Sequence, residues 1–247
     1  MTCSRAYARF SLALLLLTSS LAAAEGPASK ARDASAAPQP VDAGSPSAAR
    51  SSVDVASLLS AFAKMPGLEA SFSEEKHIAL LAKPLTSRGR LFFAHPGSLL
   101  RRVEAPELSE VVISKDSLRV RDKAGEQTMD LRARKDIRPF IESLTWILAG
   151  DRAALEKVYA ISFVPETPSA AWQLSLKPKV SPLNQLLRVL QIRGRGMFVE
   201  QIEVIEASGD KTITRILSAN PQRTFTASER KKLFGEGVAE TSARPTP

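Results

Sequence analysis

From Leu68 the apolar residues recur at every second position, the spacing of strands that bury one face. Ala70 and Phe72 begin the pattern. Ser87 to Ala94, Leu99 to Glu104, Glu110 to Lys115, Ser117 to Asp122 and Glu126 to Leu131 continue it, broken by turns at Pro96-Gly97, Pro106, Lys115-Asp116 and Lys123-Ala124-Gly125. Leu118-Arg119-Val120-Arg121 shows the alternation most plainly, aliphatic on one face and guanidinium on the other. The segment predicts an antiparallel meander.

Helical spacing interrupts this pattern at defined places. Ser51-Ser52-Val53-Asp54 has capping-box spacing, and Leu58, Leu59, Phe62 and Met65 follow on one stripe until Pro66-Gly67. Asp136-Ile137-Arg138-Pro139 predicts a capped helix with Phe140, Leu144, Ile147 and Leu148 on one side and Gly150 at its end. Asp151 to Lys157 predicts a second short helix. Strands resume at Tyr159 to Val164, Ala171 to Lys177, Leu186 to Arg193, Met197 to Glu206 and Lys211 to Ser218, with hairpin turns at Arg193-Gly194-Arg195-Gly196 and Ser208-Gly209-Asp210. The expected fold is mainly β with helices: about eleven strands in an incomplete antiparallel barrel, closed by helices over an apolar cavity.

The N-terminus predicts export. Arg5 and Arg9 precede the apolar run Phe10 to Leu17, and Ala22, Ala23 and Ala24 suit a signal peptidase, so residues 1–24 read as a cleavable signal. The apolar run is about half the ~20 residues that span a bilayer. The only cysteine, Cys3, would leave with the signal, excluding disulfides from the mature protein. Residues 25–50, rich in Ala, Pro and Ser, read as a disordered linker, 51–235 as the folded domain and 236–247 as a disordered tail. Removing Arg5 and Arg9 lowers the formal charge from +8 to +6. The remaining basic residues, among them Arg88, Arg90, Arg101, Arg102, Arg119, Arg121, Arg132 and Arg134, are expected on solvent faces, a pattern compatible with anionic lipid surfaces. Export and the lack of a reading motif argue against nucleic acid.

Period two places Leu91, Phe93, Leu99, Val103, Leu118, Val120, Met129 and Leu131 on the inner face, where they either pack a core or line a lipid cavity. The helix carrying Phe140, Leu144, Ile147 and Leu148 is either a lid or a fixed core helix. Catalysis finds little support: His77 and His95 are the only imidazoles, too few without cysteine for a strong zinc site, and no G-x-S-x-G or dinucleotide fingerprint occurs. No catalytic residue, metal or cofactor is expected. His95 with Glu104 or Arg101 is the one titratable set that an enzyme could use.

Leu68-Glu69-Ala70-Ser71-Phe72-Ser73-Glu74 and Gly89-Arg90-Leu91-Phe92-Phe93-Ala94-His95-Pro96 resemble the S-F-x-Q strand and the G-x-L-x-x-x-R-P strand and turn of the periplasmic outer-membrane lipoprotein carrier family, LolA. Leu99 to Pro106, Val112 to Asp122 and Trp172 to Pro178 continue the match in order, so that it covers about Val53 to Phe225. The resemblance implies a half-barrel that shields the acyl chains of a lipoprotein or other lipid across the periplasm, between inner-membrane donor and outer-membrane acceptor proteins, as a monomer. His95 stands where the family has an arginine associated with lid closure and cargo release, and Arg101 where it often has tryptophan. His95 is therefore the expected switch position, with a looser lid. An enzyme or a lipid-sensing regulator on the same cavity is the alternative, since relatives on this fold serve other roles.

Overall fold

The structure, a computed structural model, describes residues 54–166 and 170–235. The expected signal, linker and tail lie outside the described residues, as do Ser51 to Val53. Helix α1 (Val55–Ala63) is instead capped by Asp54, whose carboxylate accepts the backbone N–H of Ser57 at 2.6 Å while Ser57 reaches back to the Asp54 N–H. Leu58, Leu59 and Phe62 bury its apolar stripe, and Met65 falls just beyond its end.

Strands β1 (Gly67–His77), β2 (Leu85–Ala94), β3 (Ser98–Ala105), β4 (Ser109–Ser114), β5 (Ser117–Asp122) and β6 (Gly125–Asp130) form consecutive hairpins. Strands β7 (Tyr159–Glu166), β8 (Ala171–Pro178), β9 (Leu187–Arg195), β10 (Phe198–Glu206) and β11 (Lys211–Asn220) form a second meander. Because β11 pairs with β1, the two meanders merge into one eleven-stranded antiparallel sheet, with β6 and β7 as its opposite edges. The barrel is thus incomplete, as expected: it is an open sheet.

This topology dictates what covers the sheet. The chain must travel from edge β6 to edge β7, and it does so through a 3₁₀ turn (Leu131–Ala133), α2 (Arg138–Ala149) and α3 (Arg152–Val158). That crossing, with α1, covers the inner face. Ile141 packs with Phe93, Leu99, Val111 and Leu118 on one half, while Ile147 and Leu155 pack with Trp172, Leu174 and Leu190 on the other. Leu144 of α2 touches both clusters. Gly150 ends α2 in the left-handed conformation at φ 69°, and a Cβ there would lie 2.4 Å from the Leu59 carbonyl oxygen. Only glycine lets α1 and α2 approach so closely.

Several local expectations change. Leu131 is fully buried but begins the 3₁₀ turn rather than ending a strand. Asp136 does not cap α2: the N-cap is Ile137 without a side-chain bond, and Asp136 accepts from Arg134 instead. Gly194 lies inside β9, with the turn shifted to Gly196 and Met197. The short α4 (Leu183–Leu186) and the helix α5 (Ala227–Phe234) were not anticipated. The latter covers the outer face, burying Phe92, Leu100 and Val112 under Phe234 with Phe225 alongside. Both faces of the β2, β3 and β4 strands are buried there, which explains the paired apolar residues Phe92-Phe93, Leu99-Leu100 and Val111-Val112.

Candidate functional site

An apolar crevice lies between α2 and the inner face of the sheet. Its inner chamber, with a volume of about 90 Å³, is roofed by Phe140, Ile141 and Leu144 and floored by Leu91, Leu99, Ile202 and Ile216 among others. An outer chamber of about 80 Å³ shares Leu91, Leu144, Ile202 and Ile216 with it, and continues past Ile147 and Leu148 to Met197 and Phe198. The chambers are two ends of one slot. Each is smaller than the ~300–1,000 Å³ of a ligand pocket. Side chains from α2 occupy the space that a bulky guest would need.

Of the eight inner-face candidates, Leu91 and Leu99 line this slot. Phe93, Leu118 and Leu131 are buried in the adjoining core cluster, with Val120 and Met129 packed partly against it, and Val103 is buried farther along β3. All four lid candidates line it: Phe140 in the inner chamber, Leu144 in both, Ile147 and Leu148 in the outer one. A larger depression, about 900 Å³, is a separate open groove between α2 and the β2–β3 and β4–β5 turns. Charged residues such as Asp116, Asp130, Arg132 and Glu142 line it, so it offers little shelter to hydrocarbon.

Four charged positions contradict the expectation of a purely apolar interior. Arg101 does not face solvent. Register places it in the inner-face row Ala70, Leu91, Arg101, Val111, and its side chain is 12% exposed. It donates from Nη2 to Glu74 Oε1 at 2.7 Å, and its guanidinium lies 4.8 Å from the centre of the Phe72 ring. Glu74 also accepts from Thr214 Oγ1 at 2.7 Å, and Lys76 meets Glu206 at 3.3 Å nearby on the same face. Glu74 and Lys76 share the parity of Ala70 and Phe72, so period two itself places them inward.

The set His95, Glu104 and Arg101 does not assemble. Glu104 pairs with Arg90 at 2.7 Å, and Arg101 with Glu74. His95 sits at the end of β2 with its ring edge-on to Phe93, at 5.0 Å between centroids, and its carbonyl accepts from Arg230 of α5 at 2.7 Å. Its side chain makes no hydrogen bond to α2 among the described residues. What ties α2 down is different: Arg138 donates to Asp116 at 2.8 Å, and Ser143 hydrogen-bonds Tyr159. Burial pushes the Tyr159 phenol up to about 12, its bond to Ser143 opposing the shift. Among the described residues, no three His, Cys, Asp or Glu side chains are grouped to bind a metal, and no helix is long and apolar enough to cross a membrane.

The sequence profile of outer membrane lipoprotein carrier proteins of the LolA-like type matches residues 47–232, the greater part of the chain. This chain belongs to the LolA-like family. The likeness of the Leu68 and Gly89 strands to that family's motifs is thereby placed within a match over the whole domain. Solved structures with a similar fold include a LolA superfamily protein from Nitrosomonas europaea, at 12% identity over 74% of this chain and 97% of that chain, with a TM-score of 0.42. A chain of the MucA/MucB complex of Pseudomonas aeruginosa is 12% identical over 71% of this chain and 60% of its own length, with a TM-score of 0.41. A DUF1329 family protein from Desulfovibrio piger is 9% identical over 72% and 96%, with a TM-score of 0.43. No curated protein matches the sequence.

Proposed function

We propose that this LolA-like chain is an exported carrier that takes the acyl chains of a lipoprotein or another lipid beneath α2 and moves them through the periplasm toward the outer membrane. The observation that carries the reading is the apolar slot roofed by a helix that straps one sheet edge to the other. Burying hydrocarbon there is worth roughly 0.8 kcal/mol per methylene, so affinity needs no charged contact. The signal-like residues 1–24 supply export, and donor and acceptor proteins at the inner and outer membranes supply direction. His95 is the candidate switch, weaker than an arginine because an imidazole ring offers fewer donors than a guanidinium.

Binding of a fluorescent acyl probe tests the reading. Leu99→Asp puts a carboxylate into the slot and should weaken binding more than tenfold, since charge in an apolar site costs several kcal/mol. Arg119→Ala, on the opposite face, should leave it within twofold. If a folded Leu99→Asp protein binds as well as wild type, the slot is not the lipid site.

A further inference from the structure

The inner chamber contains more hydrogen-bonding capacity than its packing requires. A guanidinium has five N–H donors, and Arg101 commits one, to Glu74, among the described residues. Thr212, on the same inner face of β11 as Thr214, is 1% exposed and lines the chamber. Its Oγ1 is buried without a hydrogen-bond partner. A buried, unpaired hydroxyl is destabilising, whereas valine has the same shape and no such cost. Packing alone therefore gives no reason for threonine here.

The charges around these donors cancel. Glu74 neutralises Arg101, and Glu206 neutralises Lys76. An ionised head group would add an unbalanced charge to this neutral set, so the chemistry that complements the chamber is an uncharged hydrogen-bond acceptor. Everything leading outward is apolar, through Leu144 and Ile202 to Met197 and Phe198, the latter 59% exposed at the mouth.

We propose that Arg101 and Thr212 form a subsite for the uncharged carbonyl of a lipid ester or amide, held at the inner end of the slot while its hydrocarbon chain runs out to Phe198. The subsite rests on the lipid-carrier reading and narrows it. The cargo enters carbonyl first, which selects from that reading a lipid with only a small group beyond its carbonyl, since a lipoprotein carries its polypeptide on the carbonyl side.

Displacement of a fluorescent acyl probe from the full domain by a long-chain alkane, the fatty acid of equal length and its methyl ester tests this at neutral pH. The ester should compete about 5- to 10-fold better than the alkane, the worth of one hydrogen bond, and better than the ionised acid. Thr212→Val should erase most of that advantage, leave alkane competition unchanged, and melt about 2–4 °C higher without ligand. The double variant Glu74→Gln with Arg101→Met, which removes both charges together, should also erase the ester's advantage. Equal competition by ester and alkane in wild type, or an ester advantage that survives both variants, overturns the subsite while leaving the carrier reading intact. Failure of wild type to bind the probe at all defeats the carrier reading, and the subsite with it.

Discussion

At the scale of single residues, parity along a strand proves more informative than polarity. Leu91 and Leu99 reach the slot because they sit at inward positions, and Glu74, Lys76 and Arg101 sit inward for the same reason. Reading basic residues as solvent-facing overrode the period that placed Arg101 beside Leu99 and Val103. Its partner, on a strand 27 residues away, could not be inferred from local spacing. Breaking a buried pair leaves a charge without compensation, so Arg101→Met should cost about 3–5 kcal/mol in urea unfolding. Adding Glu74→Gln should restore most of it. A single variant as stable as wild type would mean that Glu74 is solvated. Tyr159 gives a second test. Its phenol is raised to about 12 in the folded state against about 10 unfolded, so this contribution is fully present below pH 10 and lost as pH rises through 12. Stability should fall by about 3 kcal/mol across that window, and Tyr159→Phe should remove the tyrosine-specific part of the slope.

Whole elements were legible where one period ran uninterrupted and lost where two faces were buried. The eleven strands and α1 to α3 follow from periods of two and 3.6. Helix α5 escaped because its sequence, Ala-Ser-Glu-Arg-Lys-Lys-Leu-Phe, buries little beyond Phe234. A signal was present all the same. Thr226 and Glu229 form a capping box before it, Gly235 ends it, and the consecutive apolar residues of β2, β3 and β4 required a second cover. The element-scale expectation follows from this placement. Phe234→Ala should destabilise the domain by about 3 kcal/mol by leaving a void against Phe92 and Leu100, while acyl-probe affinity of the folded fraction stays unchanged, because α5 lies on the face opposite the slot. A loss of affinity parallel to the loss of stability would show that the two faces are coupled.

At the scale of the molecule, the crossing from one sheet edge to the other makes α2 the roof of the slot and, on the carrier reading, its gate. That role was not visible in the sequence, since the spacing around Phe140 is the same for a lid and for a core helix. Topology adds the constraint: residues 131–158 must span the inner face, so any guest on that face has to share it with them. The two chambers, at about 80 and 90 Å³, are too small for a lipid chain with α2 in place. On the carrier reading, loading must therefore move α2 relative to the sheet. Its polar restraints are few, the partly exposed Arg138–Asp116 pair, worth at most about 1 kcal/mol, and the Ser143–Tyr159 bond, so what holds it is chiefly the packing of Ile141, Leu144 and Ile147 in the core clusters and of Gly150 against α1. The central β1–β11 pairing has no comparable reason to change. Hydrogen exchange with and without saturating acyl probe should consequently show altered protection in residues 138–149, and nearly constant protection in β1 and β11. Saturable binding with unchanged exchange across α2 would locate the lipid outside the slot, with the open groove on the other side of α2 as the site to probe next.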